Sequence, residues 1–107
     1  MFTILTSKPG QFRTEPGKGM RPVESWGYLF YGRQRARFDI VEMQQEARVR
    51  VIDLAGEPIV NLVPTKFLEK FATIEEARDS LHKLATFGAM DIQLVRLQPP
   101  GNSDCIA

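Results

Sequence analysis

One cysteine, Cys105, and one histidine, His82, stand in a chain of 107 residues. A lone thiol closes no intramolecular disulfide and builds no all-cysteine zinc or iron–sulfur site. A lone imidazole removes most His-based metal cages, and with them the Ser-His and Cys-His machinery that needs a partnered base. A surplus of either charge is missing too: 14 Lys and Arg face 13 Asp and Glu, a formal net charge of +1. That balance excludes a general polycationic coat and an acidic tail protein. No run approaches the roughly 18 apolar residues of a membrane span. The opening Met1–Thr6 breaks at Ser7-Lys8-Pro9, too short for a signal-peptide core. Cys105 lies one place too late for a prenylation box. The inventory therefore assigns no catalytic residue, no cofactor and no metal, and the expected location is the cytoplasm, away from membranes.

What is present is the balance of one globular domain, 43% hydrophobic and 25% charged. Residues 1–97 form the expected domain and 98–107, with Pro99, Pro100 and Gly101, a flexible tail. Between 9 and 22, six of fourteen residues are Pro or Gly, which predicts a long surface loop without regular structure. Strand patterns occupy Phe2–Thr6, Trp26–Tyr31, Gln34–Val41, Arg48–Leu54, Ile59–Val63 and Asp91–Leu97. Gly32-Arg33 has the form of a two-residue hairpin turn. The segments 42–47 and 65–72 fit either a short helix or irregular chain.

One helix is expected over residues 73–87. Thr73-Ile74-Glu75-Glu76 is a capping box, Ile74, Ala77, Leu81 and Leu84 recur at helical spacing, and Gly88 stands at the stop. The predicted class is α+β: a mainly antiparallel meander of four or five strands with this amphipathic helix on one face.

With Gly32-Arg33 as the turn, Tyr28 pairs with Arg37 and Trp26 with Asp39. One face then carries Trp26, Tyr28, Phe30, Arg35, Arg37 and Asp39, joined by Arg48 and Arg50 if Val49 and Val51 point to the core. Leu29, Ala36, Phe38 and Ile40 form the opposite, helix-covered face. A surface that interleaves aromatics with arginines suits three roles. It can bury against a protein partner or a second copy, with Ile52, Leu54, Ile59 and Val63 extending it. It can bind nucleic acid or another polyanion through stacking and bidentate arginines. It can also be a solvated face held by cross-strand contacts.

Residues 1–41 sum to +4 and residues 42–107 to −3, which would steer an acidic partner to the first half. Gly17-Lys18-Gly19-Met20-Arg21-Pro22 begins like a dinucleotide loop but has Pro22 at the third glycine position. His82 falls on the outer side of the helix, and Asp39 is set to pair with Arg50. The expected function is a small non-catalytic binding or accessory protein acting through Trp26, Tyr28, Phe30, Arg35, Arg37, Arg48 and Arg50. Its expected partner is a protein or a second copy; the alternatives are a nucleic-acid module, or a small enzyme with a carboxylate–arginine site.

Overall fold

Thr3, Leu5 and Ser7 alternate with Phe2, Ile4 and Thr6, and strand β1 (Phe2–Ser7) buries the first set fully and the second partly. The computed structural model describes residues 1–57, 59–84 and 90–98. Lys8-Pro9-Gly10-Gln11 turns the chain, with Gly10 at φ 74° and the Phe12 N–H donating to the Lys8 carbonyl at 3.1 Å. Strand β2 (Phe12–Glu15) follows. The stretch 9–22 is thus not an unbroken loop: it holds β2 and the start of β3 (Arg21–Phe30). Pro9-Gly10 and Pro16-Gly17 fall in the turns at either end, leaving four residues free to pair along β5 (Arg48–Asp53). Gly17 itself is pressed against Arg48, whose carbonyl oxygen would lie 1.8 Å from any added Cβ. Its place is therefore a packing requirement, and Met20 three residues on is buried in the core beside it.

The remaining elements are β4 (Arg33–Glu42), β6 (Val60–Pro64), a 3-10 turn over Thr65–Phe67, β7 (Lys70–Phe71), α1 (Ile74–Leu84) and β8 (Ile92–Leu97). The class is α+β, with every strand pair antiparallel. The strands divide into two sheets, ordered β7-β1-β4-β3-β8 and β2-β5-β6. The larger sheet is the middle layer. On one face, Ala36, Phe38, Ile40 and Phe71 meet Ala77 and Leu81 of α1. On the other, Leu5 and Val41 meet Met20, Met43 and Val49, with Val51 and Val63 of the smaller sheet packed around them. Helix α1 and the smaller sheet thus pack on opposite faces of the larger one, each against its own core cluster.

Helix α1 begins where the capping box places it, the Thr73 hydroxyl accepting from the Glu76 N–H at 3.2 Å. The last residues of the expected 73–87 span, and Gly88, lie outside the described residues, as does the tail from Pro99 with Cys105. The two undecided segments meet each other. Buried Thr65 donates to Glu46 at 2.7 Å and accepts from the Ala47 N–H at 2.9 Å, locking 42–47 against 65–72. The Glu46 carboxyl is held below the ordinary range, first by that hydroxyl and then by Lys70.

The β3–β4 hairpin decides which side chains share a face. Its turn residues are Tyr31 and Gly32, at φ 51° and 79°, between the paired Phe30 and Arg33. Two positive φ values match the right-handed strand twist, so glycine takes the second turn position rather than the first. Moving the turn back one residue preserves which β3 and β4 positions share a face. The bulge beyond it does not: Leu29 pairs with Gln34 and Tyr28 with Ala36, leaving Arg35 as an extra residue. Past the bulge, Trp26 faces Phe38 and Gly27 faces Arg37. The aromatics of β3 are consequently on the helix side with the core, and Arg37 is on the other side.

Candidate functional site

An open pocket of about 400 Å³ lies on the helix side of the larger sheet, beside Leu84 at the described end of α1. Tyr28, Ala36 and Phe38 line it from β3 and β4, Thr6 from β1, and Lys8 and Gln11 from the turn after β1. Tyr28 and Phe38 meet edge to face at 6.0 Å between ring centres, which fixes both rings. Arg35 joins them because the bulge turns its side chain to the pocket. Bulges are used in this way next to binding and active sites, where one side chain must be re-aimed. Neither Lys8 nor Arg35 has a carboxylate partner among the described residues. The pocket therefore combines a rigid aromatic wall, polar groups from Thr6 and Gln11, and two uncommitted cations.

A second polar centre, between α1, β3 and β8, is fully committed to structure. Glu24 is 1% exposed and takes a two-pronged contact from Arg78 of α1 at 2.7–3.1 Å. Arg96 of β8 approaches it at 3.1 Å, and the Trp26 indole N–H donates to it at 2.8 Å. Arg96 also stacks over Trp26, 5.5 Å from the ring centre, and His82 meets the same ring edge-on at 5.9 Å. Arg78 above all, then Trp26 and Arg96, holds the Glu24 carboxyl below the ordinary range, against the opposing effect of burial. Losing one partner of a buried pair typically costs about 3–5 kcal/mol. With Arg96 still in place, Arg78→Ala is expected to cost about 3 kcal/mol in urea unfolding, the low end of that range.

The pH dependence has a definite sign. A carboxyl whose folded pKa is depressed contributes stability that is present above the unfolded value near 4.5 and lost as pH falls through the lower folded value. Unfolding curves of the wild type should therefore weaken on acidification from about pH 5, and Glu24→Gln should start less stable and flatten that decline. An unchanged acid slope in Glu24→Gln would show that the clamp is not formed.

Of the seven residues expected to share one surface, the structure brings only Tyr28 and Arg35 together at this pocket. Trp26 is half-buried in the Glu24 centre, and Phe30 packs on Tyr31 at the hairpin tip, 4.7 Å between ring centres. Arg37 lies on the opposite face, where its Nε donates to Asp39 at 3.0 Å and its Nη2 to the Gln98 carbonyl at 2.5 Å. Asp39 thus pairs with Arg37, not with Arg50, and stands opposite Ser25, not Trp26. Arg48 and Arg50 are exposed on the smaller sheet, Arg50 lying 3.8 Å from Glu15. Leu29 also falls away from the helix, since its neighbours Tyr28 and Phe30 take that side.

Lys8, Gln11, Thr6 and Phe38 are site residues that strand patterns alone do not reveal. Lys8-Pro9-Gly10-Gln11 does carry a turn signature, but only the β1–β4 pairing, Thr6 opposite Phe38, brings that turn beside Arg35. Among the described residues no three of His, Cys, Asp or Glu come together as metal ligands would. The Gly17–Met20 segment, which begins like a phosphate loop, is a turn closed by the Met20 N–H on the Gly17 carbonyl at 3.2 Å, with its methionine in the core. Comparison with models of known protein families, with curated proteins and with solved structures finds no match.

Proposed function

We propose that this chain is a small non-catalytic binding or accessory domain whose pocket receives an anionic group carried on an apolar body. The observation that carries this reading is the pair of uncommitted cations, Lys8 and Arg35, beside the fixed Tyr28 and Phe38 rings. Arginine presents a planar fork to a carboxylate or phosphate, and lysine adds a mobile charge. The rings and Leu84 offer flat apolar area of the kind that positions a ligand's body. An apolar segment of a protein partner that bears Asp or Glu supplies both parts, in keeping with the positive balance of residues 1–41. The volume of about 400 Å³ sits within the usual range for such sites and admits one or two side chains.

Benzoate and phenyl phosphate are suitable probes. Saturable binding is expected, weakening with salt because both cations are exposed. Arg35→Glu should weaken it by about tenfold or more, since a charge-assisted hydrogen bond is worth about 1.5–3 kcal/mol. The same variant should leave the melting transition within about 0.5 kcal/mol, as Arg35 is exposed and has no ion-pair partner among the described residues. Binding that survives Arg35→Glu and Lys8→Glu unchanged would remove the pocket from consideration.

A further inference from the structure

The smaller sheet ends in a strand edge that lies apart from the pocket. Strand β6 ends the order β2-β5-β6, so one of its edges is unpaired among the described residues. Which backbone groups face that edge follows from the ladder. The Asp53 N–H donates to the Ile59 carbonyl and the Thr65 N–H to the Ala47 carbonyl, both at 2.9 Å. Hydrogen-bonded positions alternate in an antiparallel pair, so Ile59, Asn61, Val63 and Thr65 face β5. Val60 and Leu62 direct their N–H and C=O groups outward. Their side chains are exposed as well, at 45% and 57%.

Natural sheets guard such edges with charge, with proline or with a covering element. Residues 58–64, Pro-Ile-Val-Asn-Leu-Val-Pro, contain no charge at all. Instead they are chemically symmetric about Asn61: Val60 mirrors Leu62, Ile59 mirrors Val63, and a proline stands three places away on each side. When two copies pair antiparallel across a two-fold axis at Asn61, this symmetry sets aliphatic against aliphatic at every position beside it.

We propose that β6 is a self-association edge, and that a second copy of this chain pairs with it antiparallel about Asn61. In that register Val60 lies opposite Leu62 of the second copy, and all the outward N–H and C=O groups of both residues find partners. Pairing shifted to centre on Val60 or Leu62 leaves some of those groups unused and sets Asn61 against an aliphatic. Centred on itself, Asn61 faces the Asn61 of the second copy, where two amides can exchange hydrogen bonds. The two three-stranded sheets become one of six strands. Along its outer face Leu62 follows Arg50, and Val60 and Ile52 of the second copy continue the row as an uninterrupted aliphatic stripe. Pro64 ends β6 and has no N–H to donate, so it limits the new ladder at that end.

The test is sedimentation velocity of the full chain over a dilution series, with melting curves recorded for each variant. The wild type should show a reversible monomer–dimer equilibrium. Leu62→Pro removes an outward N–H together with the Leu62 side chain, and Val60→Lys places a charge beside Leu62 of the second copy. Each should raise the dimer dissociation constant by about tenfold or more while the melting transition remains cooperative. Should the proline variant fail to fold, Val60→Lys carries the comparison. In a sample mixing isotope-labelled and unlabelled chains, an intermolecular Overhauser contact between the two Asn61 Hα atoms fixes the register. A chain that stays monomeric at the highest soluble concentration, or a dimer that Val60→Lys leaves intact, overturns the proposal.

Discussion

Arg37→Glu is expected to bring the protein close to unfolding. Arg37 is 31% exposed in its side chain, but the Asp39 carboxylate it holds is 2% exposed. Asp39 sits in the middle of the larger sheet, where it also accepts from the Ser25 hydroxyl at 2.5 Å. Replacing Arg37 by Glu takes away the only cation paired with Asp39 among the described residues and sets a second negative charge next to it. Breaking a buried pair so that one charge is left uncompensated costs about 3–5 kcal/mol, and repulsion between the carboxylates adds to that. A small domain has about 5–15 kcal/mol in total. Urea unfolding should show the midpoint falling by a large fraction of its wild-type value. Arg37→Met, which keeps the stem and drops the charge, should lie between the two proteins. An Arg37→Glu variant as stable as wild type would mean that Arg37 points to solvent.

Phe38→Ala should be comparably severe, for a different reason. Phe38 is 9% exposed, belongs to the core cluster that includes Ile40, Leu81 and Ala77, and meets Tyr28 edge to face. Truncating a buried Phe costs about 3–5 kcal/mol through lost transfer energy and the cavity left behind. The cavity would open towards the pocket, so water can enter and part of the loss from an unfilled void is relieved. The expected value therefore falls at the lower end of that range. Tyr28 loses the ring that orients it, so probe binding should fall in Phe38→Ala even under conditions where the variant is fully folded. Calorimetry with and without benzoate separates the two effects.

Local signals carried much of the fold. The Thr73 cap and the Ile74, Ala77, Leu81 spacing located α1, strand-type residues located β1 and β8, and alternation located β5, because each depends on residues close in sequence. Ala36, Phe38 and Ile40 were legible as the helix-covered core for the same reason. Two features were not. Strand β2 was hidden because four pairing residues between Pro-Gly turns are stabilised by their neighbour β5, and composition does not register a distant neighbour. The bulge at Arg35 was hidden because no residue type there demands it. That one extra residue inverts the face relation between β3 and β4 from Tyr28 opposite Ala36 to Glu24 opposite Ile40, where a second shift restores it. The arginine–aromatic platform rested on that relation, and its four arginines are instead spread over the pocket rim, the Asp39 pair and the smaller sheet. Tyr28 and Arg35 stay together because the bulge that separates the other pairs is the device that aims Arg35.

Amide chemical shifts of the isotope-labelled full chain, followed while benzoate and then phenyl phosphate are titrated in, test the binding role of the pocket most directly. Saturating shifts should appear at Lys8, Gln11, Arg35 and Ala36, with ring-current changes at Tyr28 and Phe38, and should vanish in Arg35→Glu. Shifts confined to Arg48 and Arg50 on the smaller sheet, or no saturable shifts at all, would contradict it.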